Sequence, residues 1–418
     1  MSLAHALREA CAPAHAELEL LPFFTALHRG ELPLRAYREY LVAVQTIVGA
    51  LEHELTCVAH TRLTGLWSSD ERKEGLLKQD LRALEEQEST GTTPVHARLP
   101  ALELVSEIRR DAFRSPVSLA GYLYVFRGSS MGAAQLLRSV AGQFGFAEQG
   151  VAYLNALADE ASSWKQWKQA LDRIPPGSAE FQIVLEAGVT CFAGLVAVVA
   201  ALPTNDRPWA PPRAIDLNPN AGFHSVATEP LELEAALRAG ERSLTEFPYL
   251  ELRYGGRGRR FTASDSAWLV SICDLEPDVV EKQILWLAGV LAARGMPRLL
   301  LEEHLHWLYE ESCAVRPERS SQYALLLQAA GRLKEARLRA IAENRFAELV
   351  REYESRVPAE WLERLRGMGR LLVGAMADER AGIRGSADRL ADWVCDRDLF
   401  PEMLVQAATR TLADAAKG

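Results

Sequence analysis

Two short stretches in the first half of the chain carry residue types at spacings that can do chemistry. In residues 7–19, LREACAPAHAELE, His15 and Glu19 stand four apart. On a helix that spacing puts both on one face. A carboxylate near one imidazole nitrogen fixes the tautomer and leaves the other nitrogen's lone pair free for a metal. Taken alone, the pair also reads as a surface ion pair. In residues 122–135, YLYVFRGSSMGAAQ, Gly128 and Gly132 stand four apart, followed by Ala133 and Ala134. Glycine inside a helix costs about 1 kcal/mol relative to alanine. A face cleared of side chains admits something flat or bulky close to the backbone, or a tightly packed second helix. Spacing leaves both open.

The elements that carry these residues read as helix after helix. Alternating strand patterns are nearly absent. In residues 34–59 the stripe Tyr37, Leu41, Val44, Ile47, Val48, Leu51 and Leu55 lies on one helical face. Residues 118–140 and 179–202 repeat that periodicity. Pro33 marks a helix start, and residues 89–94, STGTTP, read as a polar loop. The expected class is all-α. A length of 418 residues suggests two or three domains. Residues 203–221 hold five prolines and no apolar period (PTNDRPWAPPRAIDLNPNA), so they read as a linker between a domain at 1–202 and a second helical domain at 222–418.

Composition excludes several classes. A net charge of −9 with no basic block argues against nucleic-acid binding. The six cysteines are spread singly, which argues against a disulfide scaffold or zinc finger and fits a reducing, cytoplasmic setting. The N-terminal residues lack the pattern of a signal peptide. The longest apolar stretch, residues 188–202, reads as a buried core helix, too short to span a bilayer comfortably, so no membrane association is expected.

In this order, the motifs resemble heme oxygenases. The first helix is similar to the family's LREAT…H pattern, with ALEHEL at residues 50–55 following it. The GSSMGAA stretch is similar to the bacterial branch, whose distal helix reads G-S-x-x-G-A-A. Thr190-Cys191-Phe192 resembles a late-helix A-x-F segment. WKQWKQAL at 164–171 sits where the family has an aromatic-basic stretch. The resemblance covers about residues 3–202.

It implies a heme held between a proximal and a distal helix, both as substrate and as the cofactor that activates oxygen. His15 becomes the axial iron ligand and Glu19 the partner of its other nitrogen. Gly128 and Gly132 let the distal helix lie against the ring, with Ser129 ordering water nearby. Arg8, Lys165 and Lys168 become candidates for the propionates, and Phe192 an apolar wall. The implied reaction opens heme to biliverdin and releases carbon monoxide and ferrous iron. The chain has no flavin or nicotinamide fingerprint, so electrons are expected from an external ferredoxin or reductase, and the bilin product is expected to pass to an acceptor. An alternative is a heme-binding sensor or carrier without turnover, with the second half as output or docking domain. Partner docking or homo-oligomerisation is the role expected of residues 222–418. The sequence departs from the better-known distal pattern, which has an aspartate beside the glycines; here Ser129, Ser130 and Met131 stand instead. Pro13 interrupts or starts the first helix.

Other clusters are weaker. A di-iron site on the same fold needs a histidine on a later helix, and residues 98–222 contain none. His53 reads as an exposed histidine. Residues 253–261, RYGGRGRRF, read as a basic loop before a helix capped near Ser264 and Asp265, its arginines paired with acids of the first domain. Glu302 and His306 share a helix face but lack a third metal ligand. Trp268, Trp286, Trp307 and Trp361 read as core.

Overall fold

The computed structural model describes residues 1–58, 60–85, 95–204 and 211–417. Among them there is no strand, only an isolated bridge between Thr64 and Trp67. The chain is all-α, as its periodicity requires. Two compact units divide it: residues 1–210 with 255–257, and residues 211–254 with 258–418. The loop expected at residues 89–94 lies outside the described residues, as does part of the proline-rich stretch, residues 205–210.

The first unit contains α1 (Leu3–Leu20), α2 (Pro22–Arg29), α3 (Leu34–Cys57), α4 (Glu74–Glu85), α5 (Val95–Arg114), α6 (Leu119–Gly128), α7 (Ser130–Phe144), α8 (Ala152–Glu160), α9 (Trp164–Leu171) and α10 (Ala179–Ala200). The predicted stripe on α3 is buried throughout. In α1, Leu3, Leu7 and Cys11 form the buried face. Its first amides are satisfied by Ser2 Oγ, which accepts from His5 N, and by Asp172 Oδ1, which accepts from Ala4 N at 2.8 Å. Pro13 neither starts nor ends this helix. It lies on the exposed face, where the Glu9 carbonyl it leaves unbonded can turn to water.

Three helices of this unit approach one another where glycines remove side chains. A Cβ at Gly121 of α6 would stand 2.3 Å from the Val184 carbonyl oxygen and 2.7 Å from Gly188 N, both backbone atoms of α10. A Cβ at Gly188 would stand 2.4 Å from Leu7 Cδ2 of α1. The two contacts differ in what can yield: a leucine tip moves, a helix backbone does not. Gly121→Ala is therefore expected to lower the unfolding midpoint, since overpacking of about 1–3 kcal/mol exceeds a helix-propensity gain of at most about 1 kcal/mol. Gly188→Ala is expected to cost less. Urea denaturation of both variants orders the two, and equal midpoints would contradict the packing described.

α10 is the only helix among the described residues long and apolar enough to cross a membrane, by length and composition. The expected core run is buried along one side only. Gly188, Cys191, Phe192, Val198 and Val199 are buried, while Val189, Ala193 and Ala197 are exposed.

The second half of the chain corrects three expectations. Residues 256–260 are not a loop: the helix begins at Gly256 and runs to Ile272, and Gly255 (φ +57°) makes the turn. Arg259 is buried and pairs with Glu251 at 2.9 Å and with Glu241, acids of its own unit. Trp286 is exposed rather than core. Glu302 is paired with Arg337 at 3.0 Å, and no metal-binding cluster occurs among the described residues.

The buried histidine here is His304. Ser266 Oγ lies 3.0 Å from its Nε2 and donates its own proton to the Thr262 carbonyl, so it accepts from Nε2–H. Ser243 Oγ, 2.7 Å from Nδ1, then donates. This arrangement holds the neutral ring, and burial pushes its pKa down to about 4. A folded value below the unfolded ~6.5 means this contribution is complete above pH ~6.5 and is lost as pH falls through about 4, of order 3 kcal/mol in all. His304→Gln is expected to flatten the pH dependence of urea stability in that window. An unchanged slope would contradict this assignment.

Candidate functional site

On α1, His15 projects from the side of the helix next to its buried face and remains exposed. Its Nδ1 lies 3.6 Å from Glu19 Oε1, an ion-pair distance slightly long for a hydrogen bond. That contact favours the tautomer with the proton on Nδ1 and leaves Nε2 as a lone-pair donor. The edge of the imidazole meets Phe192 of α10, with ring centroids 5.7 Å apart and planes at 61°. Gly188, one turn before Phe192, is where α10 contacts Leu7 of α1. The close approach of these helices thus sets Phe192 against His15.

The glycine stretch spans the end of α6 and the start of α7. The break between them is a local tightening. Ser129 N donates to the Val125 carbonyl at 3.1 Å, and Gly132 N donates three residues back, to Ser129 O, also at 3.1 Å. Ser129 Oγ donates to the Phe126 carbonyl at 2.6 Å, a back-bond that bends helices. Its proton is thereby committed, so outward it presents lone pairs only.

The two glycines are not equivalent. A Cβ at Gly128 would touch the indole of Trp164 at 3.5 Å, whereas a Cβ at Gly132 would meet nothing within 4 Å. Tight helix packing therefore accounts for Gly121 and Gly188, and the fold supplies no steric reason for glycine at 132. Gly142 is equally unobstructed, so open space counts at Gly132 only together with its place one turn after Gly128.

Tyr124 links the two helices. Burial pushes its phenol up to about 12, with the Cys11 thiol raising it further and the Arg8 charge lowering it. The ring of Tyr124 also lies 5.5 Å from that of Trp164. Arg8 itself is exposed and bonds Glu9 Oε1 at 3.0 Å. Lys168 Nζ sits 5.5 Å over the Trp164 ring, and Lys165 is exposed. His15, Glu19 and Phe192 form one group; Gly128, Lys168 and Tyr124 gather around Trp164, while Arg8 bonds Glu9. Ser129 bonds back to the Phe126 carbonyl, Lys165 is exposed, and the Cβ position of Gly132 is open.

Sequence reading missed Arg127. Its Nη1 lies 2.9 Å from Glu71 Oε1, and its Nη2 donates to Ser163 Oγ at 3.3 Å, just before α9. Beside it Lys73 pairs with Glu160 at 2.6 Å. Both pairs line a cavity of about 40 Å³ behind α6, enough for at least one water. An arginine before a glycine carries no signal of its own, because its partners are 36 and 56 residues away.

The family model for heme oxygenase matches residues 1–201. These residues belong to the heme oxygenase family. Among solved structures, the heme oxygenase domain is similar to heme oxygenase from Leptospira interrogans, at 23% identity over 48% of this chain and 99% of that one, with a TM-score of 0.43. It is also similar to heme oxygenase-1 from the cyanobacterium Synechocystis sp. PCC6803 in complex with heme, at 19% identity over 48% of this chain and 91% of that one, with a TM-score of 0.42. Curated proteins gave no match. The family binds and degrades heme, and this domain's residues fit that group. His15 offers an exposed imidazole with a carboxylate 3.6 Å from one nitrogen, Phe192 supplies an apolar flank, and the Cβ position of Gly132 is open.

Proposed function

We propose that the heme oxygenase domain opens heme to biliverdin, releasing carbon monoxide and ferrous iron, in a cytoplasmic setting with electrons from an external ferredoxin or reductase. The observation that carries this reading is an exposed His15 with a carboxylate on one side of its ring and Phe192 on the other, in a domain where the Cβ position of Gly132, in the first turn of α7, is open. Heme is the substrate, and its iron supplies the oxygen activation. His15 Nε2 would hold the iron, with Glu19 favouring the tautomer protonated on Nδ1. Phe192 packs on the imidazole edge and keeps water from that side. Gly132, with no side chain, would let a flat ring approach the backbone there. Ser129, its proton given to Phe126, offers an acceptor to an ordered water, and residues 128–135 contain no carboxylate. A water held this way delivers a proton without a strong acid next to the site. Arg8 and Lys165 are the exposed cations available to propionates.

Mixing the protein with heme, then adding ascorbate or a reductase in air, tests the reading. Loss of the Soret band with growth of bilin absorption is expected. A stable heme complex without bilin would favour the non-catalytic sensor or carrier instead.

A further inference from the structure

The asymmetry of the glycine face has a cause that can be named. The six-membered edge of Trp164, atoms Cη2 and Cζ2, lies 3.5 and 3.7 Å from the Cβ position of Gly128, and Gly132 is open. The indole is held on several sides. It stacks on Trp167, with centroids 5.4 Å apart and planes at 13°. Trp167 is itself pinned, its Nε1 donating to the Leu66 carbonyl at 2.7 Å. Tyr124 flanks Trp164 at 5.5 Å, and Lys168 lies over its ring. Just before it, Ser163 is bonded by Arg127 of α6, the residue next to Gly128. Aromatic rings in stacked or edge-on contact attract one another beyond their burial, so the indole is a fixed wall.

Building on the heme reading above, we propose that Trp164 is the specificity-determining wall of the heme site. It closes the Gly128 side, so that a flat tetrapyrrole seats over Gly132 and is restricted in its rotation about the iron–His15 axis. The rotation decides which bridging carbon lies beneath the open backbone, and thus which carbon is oxidised. A slot bounded by glycine alone would accept several rotations, because its floor has no feature to distinguish one edge of the ring from another.

The test compares the full-length wild type with Trp164→Ala and Trp164→Phe, each loaded with ferric heme. Proton NMR of the heme-methyl groups reads the seating directly, and the bilin isomers formed on turnover read it independently. In Trp164→Ala the methyl pattern is expected to change. A second bilin isomer should rise to about a tenth or more of the product, the scale on which a lost apolar contact relaxes discrimination. Trp164→Phe keeps a flat ring in place and is expected to retain the wild-type pattern, which separates loss of the wall from general disturbance of α9. An unchanged methyl pattern and unchanged isomer in a heme-loaded Trp164→Ala overturns the inference and leaves the heme reading standing. A wild type that fails to bind heme overturns both.

Discussion

Replacing His15 with alanine is expected to weaken heme binding by about a hundredfold, or about 2.7 kcal/mol, and to abolish turnover. The substitution removes the nitrogen that holds the iron but leaves the apolar flank and the glycine face, so residual binding through the ring's apolar surface should persist. The fold has little to lose. His15 is exposed, with more than half of its side chain in solvent, and its neighbours are Glu19 and the edge of Phe192. Alanine is also the better helix former, by roughly half a kcal/mol. Circular dichroism should therefore be unchanged while the Soret titration shifts. Added imidazole is expected to restore the six-coordinate spectrum, which a folding defect could not do. Wild-type affinity and turnover in this variant would remove His15 from the site.

Gly132→Leu is expected to move stability and binding in opposite directions. Leucine is favoured over glycine in a helix by up to about 0.7 kcal/mol, and beyond the helix's own backbone and the chain neighbours no protein atom stands within 4 Å of a Cβ at this position. The ligand-free variant should be at least as stable as the wild type. Heme affinity should fall by about tenfold or more, because the isobutyl group fills the space the ring would occupy. A structural glycine gives the reverse pattern: lost stability and normal binding in whatever folds. Gly121 is the internal comparison, since there the obstruction is α10's own backbone. Measuring thermal midpoint and Soret titration on the same preparations distinguishes the two kinds of glycine.

Much of the first unit was legible in the sequence because its information is local. The α3 stripe repeats with the helical period, and its members are buried. His15 and Glu19 are one turn apart, so their proximity follows from helix geometry alone. The features that escaped are set by distant residues. Glycines at 121 and 188 look like helix defects until α6 and α10 are placed together. Asp172 caps α1 across 168 residues. Trp164 was visible as part of an aromatic-basic stretch, but its contact with Gly128 depends on how α9 lies along α6. The helix start at Gly256 was misplaced for a different reason. Three glycines within four residues signal a loop, yet only Gly255 has the positive φ that ends a helix. Arg259, read as pairing with acids of the first domain, is instead buried with two glutamates of its own unit.

The central claim concerns where the iron sits. A crystal structure of the full-length protein grown with ferric heme tests it most directly. The account predicts density for the macrocycle with its iron on His15 Nε2, Phe192 flanking the imidazole, and the opposite face of the ring against the backbone at Gly132. Iron bound to another side chain, or a heme seated away from both α1 and α7, would contradict it.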